Sequence, residues 1–323
     1  MKRVSLLKGV GALAVALVAA GAPSAAVPRK VAIRTPGFPG HVASGFGAVW
    51  VESHRGGFLY RIDPARNRVA ATIDVSDALC WVPAIGAGAV WVANCGGLAG
   101  FETTYKVDPR TNRVLRRVPG STPVFGAGSL WTALLMKGVV YRIDPRSGVV
   151  LTKIRRVGFD TRELLYVGGV GYGSAWIGSN TTVARIATAT NKVTKVIRLP
   201  QAIPGSTVTG GYSGGAHMAF ARGKVWVAVP GGVYTIDPST NQARRLSIPI
   251  RPFTQAGDIP IVASAGSVWV RTSDRKVVRI GVRTGRVTRS YPASGGGGGL
   301  AVAFGSLWVA NAGDDTVWRI RLH

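Results

Sequence analysis

The side chains that perform most enzymatic chemistry are scarce in this 323-residue chain, which contains only four histidines. Glutamate occurs only at Glu52, Glu102 and Glu163, and these positions do not suggest the paired carboxylates of acid–base catalysis. The sequence has no nucleophile elbow, no phosphate-binding glycine loop with a lysine and no zinc-type pair of cysteines. We therefore predict no catalytic residue, no metal site and no cofactor.

Two cysteines, Cys80 and Cys95, are the only thiols. An even cysteine count in an exported protein favours a disulfide. Counting outward from the tight turn expected before Trp91 places Cys80 directly opposite Cys95 in a β-hairpin, within disulfide range. We predict that the two are bonded to each other.

The N-terminus has the features of a secretory signal. Lys2 and Arg3 precede an apolar stretch over residues 9–20, and small residues over 24–26 form a cleavage site. The apolar stretch is too short to span a membrane, and no later segment is apolar enough to do so. We expect residues 1–26 to be removed and the mature chain, 27–323, to be secreted or held in the cell envelope.

The chain is strongly basic, with a formal net charge of +26. Such a surface attracts anionic partners, which outside the cell include envelope polymers and acidic proteins, and nucleic acid only through nonspecific charge. The basic residues are spread along the whole chain, so a general arginine-rich composition explains the charge equally well.

A Gly-x-x-Trp phrase recurs at intervals of roughly forty residues, the length of a four-stranded propeller blade. The tryptophans are Trp50, Trp91, Trp131, Trp176, Trp226, Trp269 and Trp308. The glycine three residues earlier suits the second position of a two-residue hairpin turn, where φ is positive. The apolar run around each tryptophan predicts a strand that is covered on both faces.

Other repeated residues mark turns and contacts rather than chemistry. Asp-Pro pairs begin at Asp63, Asp108, Asp144 and Asp237, where aspartate and proline favour a turn after the third strand. A basic residue precedes the third-strand Ile or Val in six copies, at Arg61, Lys106, Arg142, Arg185, Arg279 and Arg319. We interpret these cations as partners of neighbouring polar groups at the blade rim.

The last copy lacks a fourth strand, and residues 30–33 supply a spare one before the first copy. Pairing them with residues 316–322 closes the ring and removes two free sheet edges. The sequence thus predicts an all-β protein: a monomeric seven-bladed β-propeller of four-stranded antiparallel blades, forming a single domain over 27–323.

The phrases over residues 305–311 and 141–145 resemble the YVTN-type propeller repeat and the wider group that contains virginiamycin B lyase. The resemblance covers nearly all of the mature chain. Membership would imply a metal-assisted elimination that uses His and Glu on the central face. The family's glutamate positions hold no acid here, and His41 is one residue out of place, so this chemistry does not transfer.

Function on a propeller concentrates in long loops on one face. The longer inter-blade loops carry Arg155, Arg156, Arg162, Tyr212, Arg251 and Asp258. His41 and His217 each lie nine residues before their tryptophan and should reach the axis from that same face. We predict that these eight residues form a top-face site for an anionic envelope ligand or a protein partner. The alternative is a lyase- or hydrolase-like enzyme that uses the central pore.

Overall fold

The computed structural model describes residues 29–95, 102–135, 137–155, 157–158, 165–202, 217–250, 259–264, 266–273 and 275–322. The expected signal segment lies outside these ranges. Within them, seven four-stranded antiparallel sheets form a ring, which confirms the predicted β-propeller. No helix in the described ranges is long and apolar enough to cross a bilayer.

Each sheet is one blade, numbered here from the N-terminus. In blades 1 to 6 the strands run outward from the axis in chain order, and in blade 7 the N-terminal strand is the outermost. The N-terminal strand that closes the ring is β1 (Lys30–Arg34). Blade 1 contains β2 (Pro39–Gly45), β3 (Ala48–Ser53), β4 (Phe58–Asp63) and β5 (Arg68–Asp74), and blade 2 contains β6 (Leu79–Gly86), β7 (Ala89–Asn94), β8 (Thr103–Asp108) and β9 (Arg113–Pro119). Blade 3 contains β10 (Ser121–Gly126), β11 (Ser129–Leu134), β12 (Val139–Ile143) and β13 (Val150–Ile154).

The remaining blades comprise β14 (Tyr166–Gly171), β15 (Ser174–Gly178), β16 (Thr182–Ala187) and β17 (Val193–Arg198) in blade 4; β18 (His217–Ala221), β19 (Lys224–Val229), β20 (Gly232–Ile236) and β21 (Ala243–Arg245) in blade 5; β22 (Ile261–Ser264), β23 (Ser267–Ser273), β24 (Lys276–Gly281) and β25 (Val287–Pro292) in blade 6; β26 (Leu300–Ala303), β27 (Ser306–Asn311) and β28 (Thr316–Arg321) in blade 7. A 3-10 turn, Ala312–Asp314, precedes β28.

The turn joining the first and second strands of each blade has the predicted glycine in a left-handed conformation. In blade 1, Phe46 and Gly47 have φ of 52° and 71°, so both central residues of the turn are left-handed, as a type I′ hairpin requires. A Cβ on Gly47 would meet no neighbour within 4 Å, so the turn selects glycine for its backbone conformation and not for lack of space.

Each of the seven repeated tryptophans is buried against the following blade, and at most 2% of each residue is exposed. A cation lies over the ring in six blades; Arg142, for example, is 5.2 Å from the Trp131 centroid. Arg142 also bonds Ser129 Oγ and, in the next blade, the Thr188 carbonyl and Asn191 Oδ1. The described contacts of these cations support the predicted structural role.

The N-terminal strand closes the ring as predicted. Strand β1 pairs with β28 along its length, with Lys30 opposite Ile320 and Arg34 opposite Thr316. Ile33 is buried in the same cluster as Trp308 and Val317.

The disulfide between Cys80 and Cys95 is present, with the two Cα atoms 4.9 Å apart. The register predicted for it was wrong, because Cys80 lies opposite Ala93. Strand β6 is irregular between Cys80 and Ala84, where it has more residues than the facing part of β7. A bulge of this kind cannot be counted from turn positions, and it shifts every residue beyond it.

Candidate functional site

The inner strands of all seven blades surround an axial channel of about 460 Å³. We call the side with the inter-blade loops the top face and the side with the inner hairpin turns the bottom face. Most of the wall is apolar, with Val124 and Met218 near the middle and Ile85, Phe125 and Phe220 toward the bottom. The channel therefore offers an apolar lumen of small-molecule size.

Polar and aromatic side chains gather at the top end of the channel, which we call the channel mouth. His41 of blade 1 and His217 of blade 5 stack with ring centroids 5.7 Å apart and an interplanar angle of 21°. Tyr166 lies 6.5 Å from His217, and Trp81 meets Tyr166 edge-on at 4.9 Å. Side chains from four inner strands thus meet at the axis.

A buried hydrogen bond orients His41. Its Nδ1 lies 2.9 Å from Oε1 of Glu52, and the same oxygen accepts the His41 backbone N–H at 2.8 Å. Strand β2 is irregular between Pro39 and Val42, so an extra residue on β2 faces Glu52 on β3. Only 1% of Glu52 is exposed, and burial raises the pKa of its carboxyl, although the contacts with His41 partly oppose the rise.

Close backbone packing makes this arrangement depend on glycine. A Cβ on Gly40 would lie 2.0 Å from Glu52 Oε1, so only glycine leaves room for the carboxylate. In blade 7, the Gly299 N–H donates to the Gly40 carbonyl at 2.6 Å, and a Cβ on Gly299 would meet the His41 Cα at 2.8 Å. The histidine is thereby fixed from its own blade and from the neighbouring one.

Trp81 reaches the mouth through an unusual backbone conformation. Its φ is 76°, which is a strained value for a bulky residue, and it lies in the irregular part of β6. Its Nε1 is buried and donates to no acceptor among the described residues. A buried donor without an acceptor lowers the stability of the folded chain. Beside a channel, a ligand oxygen that accepted this hydrogen bond would remove that cost.

Arg271 is a second buried charged group near the top face, with none of its side chain exposed. Its guanidinium donates to the carbonyls of Gly298, Ala310 and Ser294, which belong to blade 7 and to the loop leading into it. Through these hydrogen bonds Arg271 links blade 6 to blade 7.

The structure brings together two of the predicted site residues, His41 and His217. Arg155 is exposed on the top face just after β13. The other five predicted site residues lie outside the described ranges: Arg156, Arg162, Tyr212, Arg251 and Asp258.

Glu52 is not among the eight predicted site residues, although the repeat carries a signal for it. Two residues after each blade tryptophan stand Glu52, Ala93, Ala133, Gly178, Ala228, Arg271 and Ala310. Five of these side chains are small, and the two charged exceptions are the two buried charged groups described above. A residue that breaks a repeat at a buried position is a candidate for a special role.

No model of a known protein family matches the sequence, and no curated protein matches it. Solved structures with the same fold include BamB from Moraxella catarrhalis, at 13% identity and a TM-score of 0.56, covering 91% of this chain and all of that one. Another is the hydrazine synthase of Kuenenia stuttgartiensis, at 13% identity and a TM-score of 0.65, covering 89% of this chain and 96% of that one. At this identity the similarity establishes the propeller fold and not an activity.

Proposed function

We propose that this chain is an exported, non-catalytic binding module that takes an anionic ligand with an apolar part into its axial channel from the top face. The observation that carries the proposal is the channel itself, a lumen of about 460 Å³ with an apolar wall and a polar mouth. The apolar part of the ligand would fill the lumen, and its anionic group would remain at the mouth.

The chemistry of the mouth favours an anion over a neutral or cationic group. Imidazole and indole N–H groups donate hydrogen bonds to anionic oxygens, and both types of ring lie there in His41, His217 and Trp81. The positive net charge adds long-range attraction for such ligands. The proposal keeps the anionic ligand and the top face that the sequence predicts, and it adds a size and an apolar requirement.

One observation favours an enzyme instead. The hydrogen bond between His41 and Glu52 is the arrangement that orients a general base in many hydrolases. Because Nδ1 is held by Glu52, any proton exchange with a ligand would use Nε2. An enzyme would convert its ligand, and a binding module would return it unchanged, so recovery of the bound molecule by mass spectrometry distinguishes the two functions.

The channel proposal can be tested with 8-anilinonaphthalene-1-sulfonate, an apolar anion whose fluorescence rises when it is bound. Ala263 is exposed and lines the channel near its bottom end, so Ala263→Trp should narrow the lumen without disturbing the buried core. The matched control is Ala70→Trp, an exposed alanine on the outer strand β5.

We expect Ala263→Trp to weaken dye binding at least about tenfold, since the apolar contact area inside the lumen is lost. Ala70→Trp should bind the dye as the parent does. Equal binding by the parent and both variants would place the dye elsewhere on the surface and refute the channel as a binding site.

A further inference from the structure

His54, Cys80 and Cys95 form a compact group of metal-binding atoms on the top face, beside the channel mouth. His54 Nδ1 lies 3.2 Å from the Cys80 sulfur and 3.4 Å from the Cys95 sulfur. His54 is exposed and follows β3 of blade 1, whereas the cysteines flank the β6–β7 hairpin of blade 2. Two blades therefore contribute to one cluster.

We propose that reduction of the disulfide converts this cluster into a binding site for a thiophilic divalent cation such as Zn²⁺. Two thiolates and one imidazole are the ligand types that Zn²⁺ prefers, and three protein ligands leave a fourth position for water or a ligand. The disulfide-bonded form offers no thiolate and should not bind the ion.

The present distances are close to those that the metal requires. In a tetrahedral site with Zn–S near 2.3 Å and Zn–N near 2.0 Å, the nitrogen lies about 3.5 Å from each sulfur and the sulfurs lie about 3.8 Å apart. The two nitrogen–sulfur distances, 3.2 and 3.4 Å, need only small increases. The main change is separation of the two sulfurs, which cleavage of their bond permits.

Backbone contacts hold the ligands in place without the disulfide. The Cys95 N–H donates to the Ala78 carbonyl, and Leu79 pairs with Asn94 next to it, so the two cysteines remain neighbours after reduction. On the blade 1 side, the backbone N–H of His54 donates to the Phe38 carbonyl, and the ring centroids of His54 and Phe38 lie 5.9 Å apart.

The redox step requires a partner outside the chain. A dithiol reductant would transfer two electrons and two protons to the disulfide and be oxidised to its own disulfide. Binding of the cation would then release the two thiol protons, because thiolates are the ligands. The bound cation would in turn protect the sulfurs from reoxidation.

Cobalt titration tests the proposal, because tetrahedral Co²⁺ bound to thiolates gives a sulfur-to-metal charge-transfer band and strong visible bands. The mature protein would be reduced with a phosphine, freed of reductant without air and titrated with Co²⁺. We expect one Co²⁺ per reduced chain and none in the oxidised chain, with Zn²⁺ displacing the cobalt.

Two variants identify the ligands, and a third serves as the control. His54→Ala should weaken binding at least about tenfold, since even loss of an indirect partner of a metal ligand has that effect. The double variant Cys80→Ser with Cys95→Ser should abolish the charge-transfer band, and Asp77→Asn, an exposed acid in the adjacent turn, should bind as the parent does.

Three results would overturn the proposal: a reduced chain that binds no Co²⁺, a His54→Ala variant with parental affinity and spectrum, or a reduced chain that loses its β-sheet circular dichroism. The last result counts because the site requires blades 1 and 2 to remain folded against each other.

Discussion

The imidazole of His41 stacks on that of His217 at 5.7 Å, although one belongs to blade 1 and the other to blade 5. Blades that are not neighbours in the ring can meet only at the axis. The pair therefore lies at the axis, at the channel mouth, and under the proposed function a ligand that enters from the top face meets these two rings.

Replacing His217 by phenylalanine should separate anion recognition from apolar binding. The substitution keeps a planar ring beside His41 and Tyr166 and removes both nitrogens. We expect weaker binding of anilinonaphthalene sulfonate, by roughly three- to tenfold, because a hydrogen bond to an anionic group is lost. Neutral N-phenyl-1-naphthylamine should bind His217→Phe as well as it binds the parent. An equal loss for both dyes would indicate that His217 acts only through packing.

Glu52→Gln should change how stability depends on pH. Burial raises the pKa of the Glu52 carboxyl above its value in the unfolded chain, so the folded state holds the proton more tightly. Glutamate then costs stability as the pH rises from about 4.5 through the raised pKa, and glutamine carries no such cost. Above that range the variant should gain stability relative to the parent, as measured by urea unfolding at about pH 4 and about pH 8.

The control for that measurement is Asp74→Asn, which removes an exposed carboxylate from the same blade. It should not reproduce the pH-dependent gain. If the parent instead became more stable than Glu52→Gln as the pH rose, the contacts with His41 would stabilise the Glu52 anion by more than burial destabilises it.

Arg142→Leu should destabilise the ring at the boundary between blades 3 and 4. The guanidinium covers Trp131 and bonds the turn of the next blade through Thr188 and Asn191. Loss of the cation–π contact and of these hydrogen bonds should cost about 2 kcal/mol in denaturant unfolding. Arg146→Leu, in an exposed position two residues beyond Asp144, is the matched control and should change stability little. Equal effects would mean that general charge, and not the inter-blade contact, is measured.

Removal of the closing strand should destabilise the whole ring. A chain beginning after residue 34 loses the five paired positions between β1 and β28 and exposes the edge of blade 7. Buried Ile33 is lost as well, so we expect its melting temperature to fall by about 5 °C or more. A chain that begins at residue 30 keeps the strand and should melt as the mature chain does. An unchanged melting temperature for the shorter chain would show that β1 does not stabilise the ring.

The sequence predicted the regular part of this structure, because the same turn and strand requirements recur in every blade. Each Gly-x-x-Trp phrase needs a left-handed turn residue and a two-sided strand, and both requirements are visible in single residues such as Gly47 and Trp50. Irregular positions are different. The bulge that brings His41 against Glu52, and the one that moves Cys80 opposite Ala93, depend on the balance of contacts around each inner strand. No local pattern of residue types encodes that balance.

The pairing of β1 with β28 also determines when folding of the ring can be completed. These strands lie at opposite ends of the chain, so the last blade cannot be assembled until the C-terminal residues are present. Until then the partly made protein has two open sheet edges, one on each side of the gap, which can pair with another chain. Closing such a long loop also costs conformational entropy, which slows this step of folding. Aggregation should therefore compete with folding chiefly in the interval before the ring closes, and a chain interrupted before β28 should be especially vulnerable to it.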